Sequence, residues 1–358
     1  MSLLANNTNL PSAERAFADF NGGAASPEDL LELQRLRQMQ LMRHETHEAL
    51  NGQGFIKFVD CFGSDDRIVG AARLTAQSHG HTFNDDRTLL RYLMRHLHTT
   101  PVEFGEIVVH VRVPMDCWRQ WIRHRTATVN EFSTRYSPAI DEKATTPPDK
   151  WRLQSQGNRQ GSSGDVVTEW PAGFADSSED AQDIMDTDSP GQYLSNREAQ
   201  LHDFANRVYD ERLAFGVAKE VARKDLPLST FTEAFWKIDL HNLFHFLYLR
   251  MDSHAQQEIR DYANIIGEQI VAKLFPVAWE AFLDYRHNAM LLTALDIEVI
   301  QRLAVLSGGV NLPDQEDFLE HQHDSWKSLT RCRERVECWT KLAKLRIVEA
   351  NPDKPDIT

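Results

Sequence analysis

The chain has 358 residues, of which 41% are hydrophobic and 26% are charged, so it can bury a core of ordinary size. Its formal net charge of -14 argues against broad electrostatic binding of nucleic acid, which requires a basic face. No apolar stretch approaches the ~18 residues of a membrane span, the N-terminus has no secretory signal, and four cysteines are too few for a disulfide framework, so we expect a cytoplasmic protein that contacts no membrane.

Composition and periodicity divide the chain into three regions. Residues 1–53 form a polar N-terminal extension, in which residues 30–42 carry leucines and methionines at helical spacing. Residues 54–285 form a central domain, which a long acidic and polar loop interrupts from residue 141 to residue 196. Residues 286–358 form a helical C-terminal extension.

The first half of the central domain predicts strands and helices in alternation. Residues 55–62 are expected to form the first strand, and residues 86–98 an amphipathic helix. Residues 106–113 alternate between apolar and polar side chains, which is typical of a strand with one buried face. Residues 115–125 then predict a helix with Asp116 as its N-cap.

The second half of the domain reads as two long helices. One pattern covers residues 197–224 and stops before Pro227. The other covers residues 231–273, where large apolar side chains from Trp236 onward share one stripe. The predicted fold class is therefore α+β, with a small antiparallel sheet packed against long helices.

Residues 119–136 are the most informative segment of the chain, because they hold four arginines against one acid, Glu131. The planar guanidinium group offers paired donors that suit phosphate groups and carbonyl edges. A ligand site for an anion is one interpretation. The other is a solvated helix face on which arginines pair with nearby acids, and the residues alone leave the two about equally balanced. The four arginines are Arg119, Arg123, Arg125 and Arg135.

The same segment resembles the signature of flavin-dependent thymidylate synthases, Arg-His-Arg-x7-Ser. Arg123, His124 and Arg125 are followed after seven residues by Ser133. The resemblance extends over roughly residues 54–285, apart from the long loop. The further matching blocks are Ala71–Arg73, Arg95–Pro101, Arg119–Trp121, Asn130–Glu131, Arg135–Ser137, Lys219–Arg223 with Leu226 and Pro227, and Asn242–Gln256.

The resemblance implies a reductive methylation of dUMP to dTMP. Methylenetetrahydrofolate would be the one-carbon donor, and FAD would carry a hydride that NADPH provides. The resemblance also implies a homotetramer whose active sites are built from more than one chain. Arg250 is the expected catalytic residue, because a preorganised guanidinium stabilises negative charge that develops on the uracil ring.

The resemblance assigns site residues position by position. The family usually has glycine where Thr134 stands, and Asp239, His241 and His245 differ from the Asn and Arg of some members. The expected dUMP contacts are Gln120, Arg123, Glu131, Ser133, Thr134, Arg135, Arg223 and Arg250. The expected FAD contacts are His98, Thr100, Arg123, His124, Arg125, Glu131, Asp239, His241 and His245.

Two other classes of function remain as alternatives. The arginines could serve a nucleic-acid-binding module, which the acidic balance disfavours. The chain could also be an inactive relative that binds the nucleotide without turning it over. We expect no metal site, since pairs such as His44 and His47 lack the four-residue spacing of a zinc-binding helix. We expect Ser133 to bind phosphate rather than act as a nucleophile, because no oriented base is evident near it.

Overall fold

A computed structural model describes residues 27–74, 83–136, 140, 142–156, 161–174, 187–306, 314–327 and 333–348. Most of the acidic part of the predicted loop, and Ser137 of the matching block Arg135–Ser137, lie outside these residues. The chain forms two compact units, Met1–His287 and Asn288–Thr358. Helices and a small antiparallel sheet make up the first unit, which confirms the predicted α+β class.

A five-stranded sheet with the order β1-β2-β3-β7-β4 forms the centre of the first unit, and every neighbouring pair in it is antiparallel. A separate hairpin pairs β5 with β6. Within the described residues, the strands are β1 (His47–Ala49), β2 (Gly54–Phe62), β3 (Glu106–Pro114), β4 (Thr128–Glu131), β5 (Arg152–Gln154), β6 (Ser162–Val166) and β7 (Phe231–Asp239).

Helices cover one face of the sheet, and the second unit consists of further helices. Two π-helical segments, Ile266–Val271 and Leu283–His287, follow α8 and α10. The α-helices are α1 (Pro27–Met42), α2 (Asp65–Arg73), α3 (Phe83–Arg95), α4 (Met115–Trp121), α5 (Pro190–Ala214), α6 (Lys219–Ala222), α7 (Leu240–Arg250), α8 (Gln257–Ile265), α9 (Ala272–Leu274), α10 (Pro276–Phe282), α11 (Ala294–Leu306), α12 (Gln315–His321), α13 (Asp324–Lys327) and α14 (Arg333–Lys344).

Strand β3 forms as its alternation predicts. Ile107, Val109, Val111 and Val113 are fully buried on the helix-covered face, because successive side chains of a strand point to opposite faces. The opposite face carries His110, which stacks on Phe235 of β7 and whose Nε2 lies 2.9 Å from Glu233.

The prediction of a helix over residues 231–273 is wrong for its first nine residues and for residues 251–256, which separate α7 from α8. Residues 231–239 form strand β7, which pairs with β3 along its whole length and with β4 on its other side. Burial alternates through Ala234, Trp236 and Ile238, a period of two that the large aromatic residues obscure in the sequence. The helix begins at Leu240, after Asp239 caps it by accepting a hydrogen bond from the backbone N–H of Asn242.

Four smaller expectations also need correction. Helix α4 ends at Trp121 rather than at residue 125, and its N-cap is Pro114, not Asp116. The backbone N–H of Asp116 donates instead to the carbonyl of Leu228, so no side-chain cap is needed there. The segment predicted as a loop contains the β5–β6 hairpin, and α5 begins at Pro190, seven residues before the predicted helix.

An aromatic cluster fills the core behind the segment that holds the arginines. The ring of Trp121, at the end of α4, lies 5.1 Å from Trp236 and 5.0 Å from Phe246. The hydroxyl of Tyr262 in α8 donates to the carbonyl of Arg112 in β3 at 2.7 Å. The end of α4 is therefore held between the sheet and helices α7 and α8, and the residues that follow Trp121 start from a fixed position.

The second unit has its own core, built on α11, α12, α13 and α14. Lys341 of α14 donates to the carboxylate of Asp296 in α11 at 2.6 Å, and the backbone N–H of Thr293 donates to the same carboxylate. None of the helices in the described part of the chain combines the length and the apolar character that crossing a membrane requires. The buried members of this core are Val299, Leu303, Phe318, Trp326, Cys338, Trp339, Leu342 and Val348.

Candidate active site

Arg250, the last residue of α7, meets the turn that follows α4. Its Nε donates to Nε2 of His124 at 3.2 Å, and its Nη2 donates to the backbone carbonyl of Gln120 at 3.4 Å. The structure therefore brings together three residues that the sequence placed in one site, although 126 positions separate Arg250 from His124 in the chain.

The charge of Arg250 has no acidic counterpart among the residues that the structure describes around this site. Burial, the charge of Arg250 and the neighbouring His245 together lower the pKa of His124 to about 4, so its imidazole is neutral at neutral pH. A neutral imidazole can accept the hydrogen bond from Arg250. Among the described residues, no carboxylate pairs with Arg250. Burial lowers the pKa of this guanidinium, which nevertheless stays charged near neutrality.

Gln120 is oriented by two residues that the sequence analysis did not assign to the site. Its Nε2 donates to Oε1 of Gln256 at 2.5 Å, and Nε2 of Gln256 lies 3.4 Å from the carboxylate of Asp116. Because an ionised carboxylate only accepts hydrogen bonds, Asp116 determines which end of the Gln256 amide faces Gln120. Gln256 belongs to a block that resembles the family. The sequence alone does not show that Gln256 contacts Gln120, so it was not assigned to the site.

A second group of predicted residues lies in the loop after β4 and in the segment around α6. Nη1 of Arg223 donates to the hydroxyl of Thr134. Nε of Arg135 lies 3.5 Å from the carboxylate of Glu220, and Nζ of Lys219 donates to a backbone carbonyl of the same loop at 2.9 Å. These contacts bring together the segments that carry Thr134, Arg135 and Arg223.

Ser133 and Glu131 occupy the start of this loop and the end of β4. The hydroxyl of Ser133 accepts a hydrogen bond from the backbone N–H of Arg135 at 3.3 Å. Within the described part of the chain, no histidine or carboxylate contacts this hydroxyl, which agrees with a binding role rather than a nucleophilic one. The carboxylate of Glu131 accepts from the hydroxyl of Thr232 at 2.9 Å, which holds it beside β7.

Arg123 and Arg125 are exposed, and neither forms an ion pair with any residue that the structure describes. An ordinary solvated helix face would pair such arginines with acids three or four positions away. Here the nearest acids along the chain, Asp116 and Glu131, face Gln256 and Thr232 instead. These two side chains therefore offer free positive charge at the surface of an acidic protein.

Three further predicted residues, Asp239, His241 and His245, lie on α7 or at its N-cap. The imidazoles of His124 and His245 are 5.7 Å apart, and His241 lies one turn earlier on α7. The carboxylate of Asp239 is engaged by the backbone and side-chain amides of Asn242. No described contact joins these groups to the two predicted residues nearest β3, which are His98 and Thr100.

His98 and Thr100 follow α3. Leu97 has a φ of 62° and turns the chain there, and the ring of His98 lies 5.7 Å from Tyr92. Thr100 begins the short 3₁₀ helix Thr100–Phe104, which packs against α7. Within the described residues, no three His, Cys, Asp or Glu side chains lie close enough together to hold a metal ion.

Comparison with known proteins identifies the family. The sequence profile of the family described as "Thymidylate synthase complementing protein" matches residues 57–277. A flavin-dependent thymidylate synthase of Wolbachia pipientis wMel is 40% identical over 75% of this chain and 87% of its own length. One of Dictyostelium discoideum is 42% identical over 72% of this chain and 77% of its own length.

The chain belongs to the flavin-dependent thymidylate synthase family. Among solved structures, the UMP/dUMP methylase PolB from Streptomyces cacaoi, bound to 5-Br dUMP, is 29% identical. The match has a TM-score of 0.53 and covers 65% of this chain and 96% of that one. The sequence resemblance to this family of enzymes is thus confirmed.

The residues of this site fit a flavin dinucleotide. FAD presents an anionic pyrophosphate and two flat ring systems. The unpaired, exposed guanidinium groups of Arg123 and Arg125 suit the pyrophosphate. The imidazoles of His124 and His245 offer flat surfaces beside them. Asp239 is the exception, because its carboxylate caps α7 and would repel a phosphate.

Proposed function

We propose that this protein methylates dUMP to dTMP, with methylenetetrahydrofolate as the one-carbon donor and NADPH as the reductant. The observation that carries the proposal is the guanidinium of Arg250, which neutral acceptors hold and no described carboxylate neutralises. In a partly buried site, an uncompensated positive charge costs free energy. It becomes favourable when an anion binds or when negative charge develops during a reaction.

The phosphate of dUMP is expected to bind at the loop after β4. Arg223 and Arg135 supply the positive charge, and the hydroxyl of Ser133 and the backbone of Thr134 supply neutral contacts. Glu220 is the only described acid paired with these arginines, and the pair is exposed on both sides, so water screens it strongly. A phosphate dianion would compete well with it.

The uracil ring is expected to lie toward Arg250, Gln120 and Arg123. Methylation replaces the hydrogen on C5 of uracil by a methyl group, and the displaced hydrogen leaves as a proton. Before C5 can accept the one-carbon unit, negative charge must build up on the ring, and the proposed role of Arg250 is to stabilise that charge. His124, with a pKa of about 4, is too weak a base to take up a proton at neutral pH and instead orients Arg250.

FAD, when bound, supplies the hydride that reduces the transferred one-carbon unit to a methyl group. The residues proposed to hold it are those of the Arg123–Arg125 turn together with Glu131, His245, His241, His98 and Thr100. The proposed role of Asp239 is limited to capping α7, which keeps His241 and His245 in position.

We also propose a homotetramer with active sites shared between chains, and a cytoplasmic location. The exposed positions of His98 and of the unpaired arginines agree with a site that a second chain completes. Light scattering of the purified protein measures the assembly. Four chain masses are expected, and the mass of a single chain would contradict the shared site.

The reaction is tested by incubating the full-length protein with dUMP, methylenetetrahydrofolate, FAD and NADPH and separating dTMP by chromatography. A sample stripped of flavin is the control, and dTMP is expected only when FAD is present. UMP is assayed in parallel, because the structural relative PolB is described as a UMP/dUMP methylase. Binding of dUMP without any dTMP would contradict the proposed activity and favour an inactive relative.

A further inference from the structure

Thr134 and Arg223 form a contact between two segments that are far apart in the sequence. Thr134 lies in the loop after β4, and Arg223 begins the short 3₁₀ turn Arg223–Asp225 that follows α6. Nη1 of Arg223 donates to the hydroxyl oxygen of Thr134, and 89 positions separate the two residues. Both side chains are half-buried.

Two neighbouring contacts hold the same segments together. Lys219 donates to the backbone carbonyl of Tyr136, and Arg135 faces Glu220. The Arg135–Glu220 pair is 58% and 55% exposed, so it contributes little to the positioning of the loop. The contact between Arg223 and Thr134 is shielded better from water. It fixes the position of the Arg223 guanidinium, whereas the contact of Lys219 fixes only the backbone of the loop.

The hydrogen bond to Thr134 leaves a defined part of the Arg223 guanidinium available. Once Nη1 is engaged, Nε and Nη2 have no partner among the residues that the structure describes. The edge formed by Nε and Nη2 presents two parallel N–H groups, the arrangement that binds phosphate oxygens in pairs. Thr134 is β-branched, so its χ1 angle is restricted and its hydroxyl is a fixed acceptor.

We propose that Thr134 is a positioning residue, which orients Arg223 so that the Nε–Nη2 edge receives the phosphate of a nucleoside monophosphate. The inference rests on the proposed function, because it takes the nucleotide to bind at this loop. In this inference the hydroxyl of Thr134 binds Arg223. The alternative is that the side chain of Thr134 contacts the nucleotide directly.

The test compares dUMP with deoxyuridine, which lacks only the phosphate. Dissociation constants for both ligands are measured by titration calorimetry on the flavin-loaded, full-length protein and its variants. Thr134→Val keeps the shape but removes the acceptor, and it is expected to weaken dUMP binding roughly tenfold. It should leave deoxyuridine binding unchanged. Thr134→Ser, which keeps the hydroxyl, should bind dUMP nearly as the unaltered protein does.

Arg223→Met provides the second arm. If Thr134 acts through Arg223, adding Thr134→Val to Arg223→Met causes no further loss of dUMP affinity. In steady-state assays, Thr134→Val is expected to raise KM for dUMP and to leave kcat unchanged. The amount of bound flavin and the melting temperature of each variant show that it has folded.

Four results would overturn the inference. Three concern Thr134→Val: an equal loss of dUMP and deoxyuridine affinity, no loss at all, or a loss that adds fully to that of Arg223→Met. An unaltered protein that binds dUMP no better than deoxyuridine would overturn it as well. If the phosphate-dependent effect of Thr134→Val appears but no dTMP forms, the positioning role stands and the proposed reaction fails.

Discussion

The two compact units differ in how they surround a charged side chain that is shielded from water, fully for Asp296 and partly for Arg250. In the C-terminal unit, the carboxylate of Asp296 is 3% exposed and receives hydrogen bonds from Lys341 and Thr293. In the first unit, Arg250 is held by a neutral imidazole and a backbone carbonyl. The charge of Asp296 is neutralised by Lys341, whereas the charge of Arg250 is left for an anionic ligand to neutralise.

The difference separates a structural charge from a functional one. Burial raises the pKa of Asp296, but the hydrogen bonds from Lys341 and Thr293 outweigh burial and hold it below its ordinary value. Such a pair stabilises one packing of two helices and does no chemistry. Arg250 gains little stability from its two neutral partners. Holding this partly buried charge without a carboxylate partner costs free energy, which is typical of a group that acts on a ligand.

The largest expected effect is on Arg250 itself. Arg250→Ala removes the charge that the uracil anion requires, and turnover should fall about 10³-fold. Bound FAD, measured by its visible absorbance, should be retained. Arg302→Ala is the matched control, because Arg302 pairs with Glu298 and Asp324 in the C-terminal unit and should not affect turnover. Equal rates for Arg250→Ala and the unaltered protein would show that the charge of Arg250 is not needed for turnover.

The next effect is on stability and concerns the neutralised charge. Lys341→Met leaves Asp296 buried without its cation, and we expect the free energy of unfolding of the C-terminal unit to fall by about 3 kcal/mol. Lys344→Met, an exposed position on the same helix, should change it by less than about 0.5 kcal/mol. Urea unfolding followed by tryptophan fluorescence measures both. Similar losses of unfolding free energy in the two variants would mean that the Lys341–Asp296 pair does not stabilise the C-terminal unit.

A smaller effect is expected from the acid titration of His124. Its folded pKa of about 4 lies below the ordinary value of 6.5, so the unfolded chain takes up the proton first. The contribution of this group to stability is fully present above about pH 6.5. It is lost progressively as the pH falls through 4.

His124→Gln removes this titration and keeps a neutral acceptor for Arg250. The free energy of unfolding should therefore depend less steeply on pH between 6.5 and 4 in this variant than in the unaltered protein. Urea unfolding at a series of pH values measures the slope. An identical slope in both proteins would show that His124 is not held neutral by its surroundings.

The smallest effect is expected at Gln256, which orients Gln120. Gln256→Met removes the acceptor for Gln120 and should cost about 1 kcal/mol of dUMP binding, seen as a rise of a few-fold in KM. Gln257→Met is the control, since Gln257 bonds to Asp261 within its own helix. Equal KM values for the two variants would exclude an orienting role for Gln256.

Local patterns in the sequence predicted much of the fold but not the contacts that complete the site. The alternation in residues 106–113 indicated β3, because burial on one face imposes a period of two. Strand β7 was missed, since Trp236 and Leu240 fit a helical stripe equally well when their neighbours are large. The contacts of Gln256 with Gln120 and of Arg223 with Thr134 join distant segments, and no local periodicity reports such pairs.

The most direct test of the account measures tritium released from dUMP labelled at C5. Methylation must displace that hydrogen, so the unaltered protein should release tritium in step with dTMP formation when all substrates and FAD are present. Arg250→Ala should release it about 10³-fold more slowly, because it removes the partly buried positive charge that is proposed to stabilise the uracil anion. Release by Arg250→Ala at the rate of the unaltered protein would contradict the central role given to that charge.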